Sequence, residues 1–454
     1  MQPQRADRRQ NLIAMLLVGV AMILGGGGSP VPLPEMALQV FAALALCVWA
    51  CSVPLPLFRG ARPAWLIAGL MLALPLAQLV PLPPAAWQAL PGREAERAAL
   101  ALIGADSTWR PWSVAPSRTL AALLALAVPA VVLLMVASLN RSGRAMAVAM
   151  IAGIALLGLL VGVVQMAAGE ANTLRFYVPD QPYLNGFQAN HNSAADVLLI
   201  GMVAFVAALR EAVEARRATM SRAWRLAAVG GATALFSLGV FLTASRAGAV
   251  LLPVAWLAVV AMIWPWVRLS RRTAWIAVAG LAGALGLAGL LLSTNGMILR
   301  VVGRYQFGGE FRPQLWHDAV FAMQQFLPFG SGLGTFVPVF IAAERLEVVD
   351  ATVPNRAHND YLELMVEGGV FGWIVLATIT AILTRQAWRR LRAPDQTDPG
   401  QTGIAPTIFA VAALGIVALH SLVDYPLRSL SLACIAAAAA GLLMPPVHAR
   451  RAER

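Results

Sequence analysis

Long apolar stretches separated by short polar connections form the main pattern of this chain. A helix needs about 20 mostly apolar residues to cross a bilayer, and about twelve stretches come close to that length. They cover residues 11–29, 36–53, 64–81, 118–139, 145–167, 192–209, 226–244, 247–266, 273–293, 368–384, 404–422 and 429–446. The pattern therefore predicts an all-α polytopic membrane protein with about 12 transmembrane helices.

Composition supports this class and excludes several others. The chain has 454 residues, of which 59% are hydrophobic and 12% are charged, whereas a soluble domain carries about 25% charged residues. Its three cysteines, Cys47, Cys51 and Cys434, lie in apolar runs and are expected to pack there without forming a disulfide framework. A disordered chain, a secreted disulfide scaffold and a soluble nucleic-acid binder are excluded, so no nucleic-acid partner is expected.

The distribution of charge indicates a topology. Lysine is absent, so all 34 basic residues are arginine, and with 22 acidic residues the net charge is +12. With the N-terminus in the cytoplasm, 22 arginines fall in connections on that side and 12 on the other. The positive-inside rule then predicts that both termini are cytoplasmic. The longer connections, about 82–117, 168–191 and 294–367, are expected to face the periplasm.

The connection at 294–367 is the longest, and its length predicts a functional or structured segment. Its pattern predicts an amphipathic helix from Pro313 to Phe326, a glycine-rich break at 327–336 and a second helix at about 337–346. The predicted division is therefore transmembrane helices 1–9 with short cytoplasmic loops in 1–293, a large, partly helical periplasmic loop in 294–367, and transmembrane helices 10–12 with a cytoplasmic tail in 368–454.

Arginines on the predicted outer side are the first candidates for chemistry. Arg246 lies in a tight turn between two spans, and Arg300, Arg304 and Arg312 cluster where the longest connection begins. The planar guanidinium binds phosphate through two parallel hydrogen bonds. Attraction of the side chain to the membrane interface is the alternative. We favour that alternative for Arg300, whereas for Arg246 and Arg312 both interpretations stay open.

A second group of candidates lies where the longest connection meets the tenth span. Arg356, His358 and Asn359 stand close together there. A histidine among titratable neighbours at a membrane surface is a candidate general base. A hydrogen-bonded structural histidine is the usual alternative, and the concentration of polar residues favours the functional interpretation.

The residues around this group predict a helix with two polar faces. Helical spacing places His358, Tyr361 and Met365 on one face. The same spacing places Glu363 and Glu367 on another face.

Two further polar segments lie at the ends of predicted spans. Asn190 and His191 precede the sixth span, and Asp196 lies just inside it. Polar residues at such a place often mark a substrate path, while capping of the helix by Asn192 or Ser193 explains them equally well. The other segment, residues 420–428 between the last two spans, carries His420 and Asp424 four residues apart, a spacing that allows them to pair with each other.

Several common site motifs do not occur in the sequence. It has no P-loop, no HExxH or CxxC motif, and no external acidic pair at metal-ligand spacing. Arginine is the obvious partner for a phosphate group here. We therefore expect a metal-free site without a cofactor, for an anionic lipid substrate.

Taken in order, these motifs resemble the superfamily of O-antigen ligases and Wzy-type O-antigen polymerases, which are bacterial lipid-linked glycan transferases. The resemblance covers about 185–430. The motifs that carry it are Ser245-Arg246-Ala-Gly248, Arg312-x3-Trp316, Pro328-Phe-Gly-Ser-Gly-Leu-Gly-Thr-Phe336, Ala357-His358-Asn-Asp-Tyr-Leu-Glu-Leu364 and Glu367-Gly-Gly369.

The resemblance implies a GT-C-like, metal-independent inverting glycosyltransferase of the bacterial inner membrane, with its active site facing the periplasm. Its donor would be an undecaprenyl-diphosphate-linked glycan, and its acceptor another lipid-linked glycan or the lipid A core. The matching positions imply catalytic roles for His358, Arg246 and Arg312. Substrate-binding candidates are Arg304 (a competitor of Arg312), Arg300, Arg356, Asn359, His191 and Asn190.

The acceptor separates two members of this superfamily. The segments at 185–193 and 420–428 look more like the polymerase type, so we favour polymerisation of O-antigen or exopolysaccharide repeat units over ligation to the lipid A core. A flippase or transporter for the same lipid-linked glycan is the alternative of another class. Such a protein is expected to place ionisable residues or broken helices near the membrane midplane, and the predicted spans carry few deep charges.

Overall fold

The fold is described from a computed structural model of the chain. The described residues are 2–27, 33–52, 62–168, 177, 183–215, 219–267, 303, 305, 312–349, 353–392 and 403–445. The predicted span at 273–293 and the candidate residues Arg300 and Arg304 lie outside them.

Apolar helices make up most of the described chain. The first ten, in chain order, are α1 (Gln2–Leu24), α2 (Leu33–Ser52), α3 (Arg62–Leu79), α4 (Pro84–Gln88), α5 (Glu94–Ala101), α6 (Pro116–Ser138), α7 (Arg141–Ala168), α8 (His191–Glu214), α9 (Arg222–Leu242) and α10 (Arg246–Ile263). They are followed by α11 (Arg312–Phe326), α12 (Phe336–Ala343), α13 (Asp360–Arg392), α14 (Ile404–His420) and α15 (Leu430–Leu443). Two short strands, β1 (Pro81–Leu82) and β2 (Arg110–Pro111), pair antiparallel.

Eight of the described helices are long and apolar enough to cross a membrane. These are α2, α3, α6, α7, α8, α9, α10 and α13. Two shorter apolar helices, α14 and α15, follow them. The predicted class, an all-α polytopic membrane protein, is confirmed, whereas the total of about 12 spans stays a prediction.

Helix α8 lies at the centre of the bundle and packs against α7, α9, α10 and α14. Small residues at the helix crossings allow this close approach. A Cβ placed on Gly201 of α8 would lie 2.3 Å from the Cβ of Ala155 in α7. At the crossing with α10, a Cβ on Gly248 would lie 2.5 Å from the Cβ of Ala195. Side chains larger than glycine at these two positions would push the helices apart.

One end of the bundle, called the site end below, is where α1 ends and where α8, α10, α13 and α15 begin. The residues after α1 connect the starts of two other helices there. Ser431 donates its backbone N–H to the carbonyl of Gly25, and Ala189 donates to that of Gly26, both at 2.8 Å. These bonds hold the starts of α8 and α15 next to each other.

Helices α11 and α12 form a separate layer over the site end. The predicted helix at 313–326 is confirmed as α11, and the second predicted helix is α12, which ends at Ala343, before the predicted end at 346. Both helices bury apolar side chains against α13 in a cluster of their own. Its members include Leu315, Ala319, Phe336, Phe340 and Val366.

The glycine-rich turn between α11 and α12 packs onto a kink in α13. The kink is at Gly369, whose φ of 55° and ψ of −148° interrupt the helix. Gly330 has a φ of +82°, and a Cβ on it would lie 2.5 Å from the backbone nitrogen of Gly369. Only glycine satisfies both the left-handed conformation and this contact without strain. The predicted break at 327–336 therefore corresponds to a turn whose backbone closely contacts the backbone of α13.

Candidate functional site

Four segments that are distant in the sequence meet at the site end. They are the start of α8, the start of α11, the residues before α13, and the loop at 421–429 between α14 and α15. Helix N-termini carry partial positive charge and favour anions. The starts of α8, α11 and α13 all lie in this region, which suits it to a negatively charged ligand.

His358 precedes α13 and adopts a left-handed backbone conformation with a φ of 47°. The side chain of Asn359 accepts a hydrogen bond from the backbone N–H of Leu362 at 3.0 Å and thereby caps the helix. The prediction that His358 shares a helical face with Tyr361 and Met365 is therefore wrong. The cap makes Asp360 the first helical residue and leaves His358 outside the helix.

The imidazole of His358 lies against the loop at 421–429. Its Nδ1 is 3.2 Å from Oδ1 of Asp424, and the His358 and Asp424 side chains are 18% and 3% exposed. Its ring meets that of Tyr425 edge to face, with 4.9 Å between the centroids. This arrangement fixes one face and one nitrogen of the imidazole and leaves part of the ring accessible.

Asp424 is the central carboxylate of this region. Nη2 of Arg312 and Nε2 of His420 each lie 4.0 Å from its Oδ2, and Asn192 donates a side-chain hydrogen bond to the same oxygen. Burial alone would raise the pKa of Asp424. The nearby His358, His420 and Arg312 side chains outweigh burial and hold that pKa below its ordinary value.

His420 makes its shorter contact with α8. Its Nδ1 is 2.6 Å from Oδ1 of Asp196, and both side chains are buried. The predicted pairing of His420 with Asp424 is present only as the longer 4.0 Å approach. The tertiary packing of α14 on α8 therefore provides a partner for His420 that its spacing along the helix did not indicate.

The predicted substrate residues before α8 have different surroundings. Asn190 caps α8 through its side-chain oxygen, which accepts from the N–H of Asn192 at 2.7 Å. The prediction of a cap at Asn192 or Ser193 is therefore wrong. Asn190 also donates to the hydroxyl of Tyr425 at 3.0 Å, and burial raises the pKa of Tyr425 to about 12. Asn190 thus belongs to the site.

His191 packs beside this group. Its ring meets Tyr183 edge to face at 5.4 Å between centroids. The contact holds the imidazole at the start of α8. Its predicted role in substrate binding stays a prediction.

Arg246 is the first residue of α10. The hydroxyl of Ser245 caps the helix by accepting from the N–H of Gly248 at 3.0 Å. Ala244, just before the cap, has a φ of 55°, which completes the tight turn after α9. Because Gly248 lies against Ala195 near the start of α8, Arg246 is at the site end; its predicted role stays a prediction.

A second, more buried cluster surrounds Arg428. Its guanidinium donates to Glu367 at 2.8 Å and approaches Glu363 at 3.3 Å and Asp360 at 3.7 Å. Burial opposes the positive charge, but the three carboxylates outweigh it and raise the pKa of Arg428 above its ordinary value. Arg356 donates to Glu363 at 3.0 Å from the opposite side. The predicted shared face of Glu363 and Glu367 is confirmed, because both reach Arg428.

Sequence reasoning missed several residues of the site. Asn192, Asp424, Tyr425 and Arg428 were not among the predicted site residues. The polar run at 420–428 was their signal in the sequence, and nothing local indicated that it would meet His358. Among the described residues, no group of three or more His, Cys, Asp or Glu side chains is placed to hold a metal ion.

The fold and this site define a multi-pass membrane protein with a cluster of charged, mostly buried side chains at one end of its helix bundle. Residues 231–377 match the family described as O-antigen ligase. This match confirms the predicted resemblance to the O-antigen ligase and polymerase superfamily over that part of the chain. The match supports a role in glycan transfer during O-antigen assembly, in a bacterial inner membrane. No curated protein matches the chain with significant sequence similarity.

The matched region contains Arg246, Arg312 and His358 but ends before the loop at 421–429. Asp424 and Tyr425, which contact His358, thus come from outside it. Asn190 and Asn192 come from before it. The site is completed by parts of the chain on both sides of the matched region.

Proposed function

We propose that this protein is a metal-independent inverting glycosyltransferase. It moves a glycan from an undecaprenyl-diphosphate donor to an acceptor hydroxyl on the periplasmic face of the inner membrane. The observation that carries the proposal is the pair formed by His358 and Asp424, with Arg312 on the other side of the same carboxylate. A candidate base and a cation thereby approach the same carboxylate, which suits proton transfer beside a negatively charged donor.

In this mechanism His358 is the general base. Nδ1 faces Asp424 and carries a proton, so Nε2 is left to accept the proton of the acceptor hydroxyl. The acceptor oxygen attacks the anomeric carbon and forms the new glycosidic bond. The bond from that carbon to the diphosphate oxygen breaks, and undecaprenyl diphosphate leaves with the electron pair. Attack from the opposite face inverts the anomeric configuration.

Arg246 and Arg312 bind the diphosphate and stabilise the charge that develops on it during departure. Arg304 and Arg300 remain competitors for this role. Asn359 and Arg356 also have contacts within the protein, and their predicted part in substrate binding stays a prediction. Asn359 caps α13, and Arg356 is engaged with Glu363, so both hold the segment around His358 in place.

Two acceptors are compatible with this site. In the polymerase reaction a second lipid-linked repeat unit accepts the glycan. We favour this reaction because the segments at 185–193 and 420–428 resemble the polymerase type more. Ligation to the lipid A core is the second candidate, and the family description at 231–377 favours it. Donor, base and arginines are the same in both reactions.

The test uses purified protein and undecaprenyl-diphosphate-linked repeat units, with and without lipid A core. A ladder of products without core indicates a polymerase, and transfer only with core indicates a ligase. His358→Ala and Arg246→Ala should lose transfer by at least about 10²-fold while remaining folded. Movement of the intact lipid-linked glycan between leaflets without bond formation would indicate a transporter and overturn the proposal.

A further inference from the structure

Ala357, the residue before His358, is held through both of its backbone polar groups. The indole Nε1 of Trp316 donates to the carbonyl of Ala357 at 2.9 Å. The carboxylate of Glu363 accepts from the backbone N–H of the same Ala357 at 3.0 Å. Ala357 is fully buried, so water cannot replace either partner.

This double contact matters because His358 is in the left-handed region of the backbone, with a φ of 47°. A residue other than glycine is disfavoured in this region, so the surrounding structure must hold its backbone in that conformation. Asn359 fixes the following residues by capping α13 and by donating to the carbonyl of Leu422 at 3.0 Å. The Ala357 contacts supply the corresponding constraint on the preceding side.

Trp316 also connects this constraint to the arginine of the site. It lies four residues after Arg312 on α11, so both side chains project from the same side of that helix. Arg312 reaches Asp424 at 4.0 Å, and Trp316 reaches the peptide before His358. One rigid helix therefore sets the positions of the cation and the base together.

We propose that Trp316 and Glu363 are positioning residues that hold His358 in its productive orientation through the Ala357 peptide. The inference rests on the proposed function, since it assigns these two residues a purpose only if His358 is the base. Neither side chain needs to touch the substrate. Their effect is on the placement of the imidazole relative to Asp424 and the acceptor.

The decisive variant is Trp316→Phe, which keeps an aromatic ring and removes the indole donor. Its matched control is Trp87→Phe, because Trp87 donates an equivalent bond to the carbonyl of Thr108 at 2.9 Å, in the segment between α3 and α6. Steady-state transfer is measured on monodisperse protein with undecaprenyl-diphosphate-linked repeat units, together with the thermal unfolding midpoint. We expect Trp316→Phe to lower kcat by about tenfold with little change in the KM for the donor, since small displacements of a base are costly.

A purely structural tryptophan would lower the unfolding midpoint and leave kcat per folded molecule equal to that of the control. A kcat for Trp316→Phe within about threefold of Trp87→Phe would therefore overturn the inference. Glu363→Ala removes the acceptor of the Ala357 N–H together with the ion pairs to Arg356 and Arg428, so it should lower kcat and also lower the unfolding midpoint. If the wild-type protein forms no glycosidic bond, the proposed function fails; an active wild type with unaffected variants rejects only the positioning role.

Discussion

Asp424 receives contacts from side chains that lie far apart in the sequence. His358, Arg312, His420 and Asn192 all approach its two oxygens. A buried carboxylate is stable only when such partners compensate for its lost hydration. The same compensation orients the imidazole of His358, because the carboxylate cannot turn without losing its other contacts.

Asp424→Asn should therefore reduce transfer strongly while conserving the shape of the site. An amide can donate to His358 and favour the wrong tautomer of the imidazole, as in other histidine–carboxylate pairs. We expect kcat to fall by about 10²- to 10⁴-fold with the KM for the lipid-linked donor changed far less.

The matched control is Asp318→Asn, which changes another buried carboxylate in the layer over the site end. Asp318 pairs with Arg345 at 2.6 Å, away from His358. Its substitution should leave kcat close to that of the wild type. Equal losses in the two variants would show that Asp424 acts only through stability.

At the scale of elements, the kink in α13 determines where the active segment lies. The glycine-rich turn at 327–335 packs on the kink at Gly369, and Glu367 accepts from the N–H of Phe336 at 3.0 Å. Helices α11 and α12 are thereby fastened to α13, just beyond His358. Helical propensity alone would favour a straight α13. The close contact between the two backbones at Gly369 instead bends the helix.

Gly330→Ala should destabilise the protein more than the same substitution at a glycine that has a positive φ but open space around it. The new Cβ would have to adopt a φ of +82° and would lie 2.5 Å from the nitrogen of Gly369. We expect a loss of about 3 kcal/mol in the free energy of unfolding. The control is Gly104→Ala, which has a φ of +66° and no neighbouring atom within 4 Å.

The control should cost about 1 kcal/mol, the price of the backbone conformation alone. Thermal unfolding midpoints in the same detergent compare the two variants. Equal shifts would mean that the contact between Gly330 and Gly369 contributes nothing, and that only the positive φ matters.

At the scale of the whole molecule, the directions of the helices determine which helix ends, and which charged residues, lie at each end of the bundle. Helices α8, α10, α13 and α15 begin at the site end, and α9 and α14 end there. Among the described residues, the helix ends on the opposite side carry arginines such as Arg141, Arg222 and Arg389. By the positive-inside rule the site end should face the periplasm.

Single cysteines test this orientation. In a background where Cys47, Cys51 and Cys434 are replaced by alanine, Gly104→Cys should react with a membrane-impermeant maleimide added from the periplasmic side. Arg389→Cys should react only after the membrane is opened. The reverse pattern of labelling would overturn the predicted orientation and with it the periplasmic assignment of the site.

The class of the protein, most of its helices and the motifs that resemble the O-antigen ligase superfamily can be predicted from the sequence alone. Burial of apolar helices in a bilayer requires a run of about 20 residues, and such runs are visible one at a time. Helix α11 and the glycine-rich break were predicted for the same reason, since their signals are local. His358, Arg246 and Arg312 became candidates because each lies in a short motif.

The residues that complete the candidate site become apparent only from the packing of the helices. The pairing of His358 with Asp424, of His420 with Asp196 and of Ala357 with Trp316 joins segments separated by tens to hundreds of residues. Such contacts depend on how the helices pack, which no local period encodes. The left-handed backbone conformation of His358 could not be predicted for a related reason. A histidine adopts that conformation only when its neighbours in space enforce it.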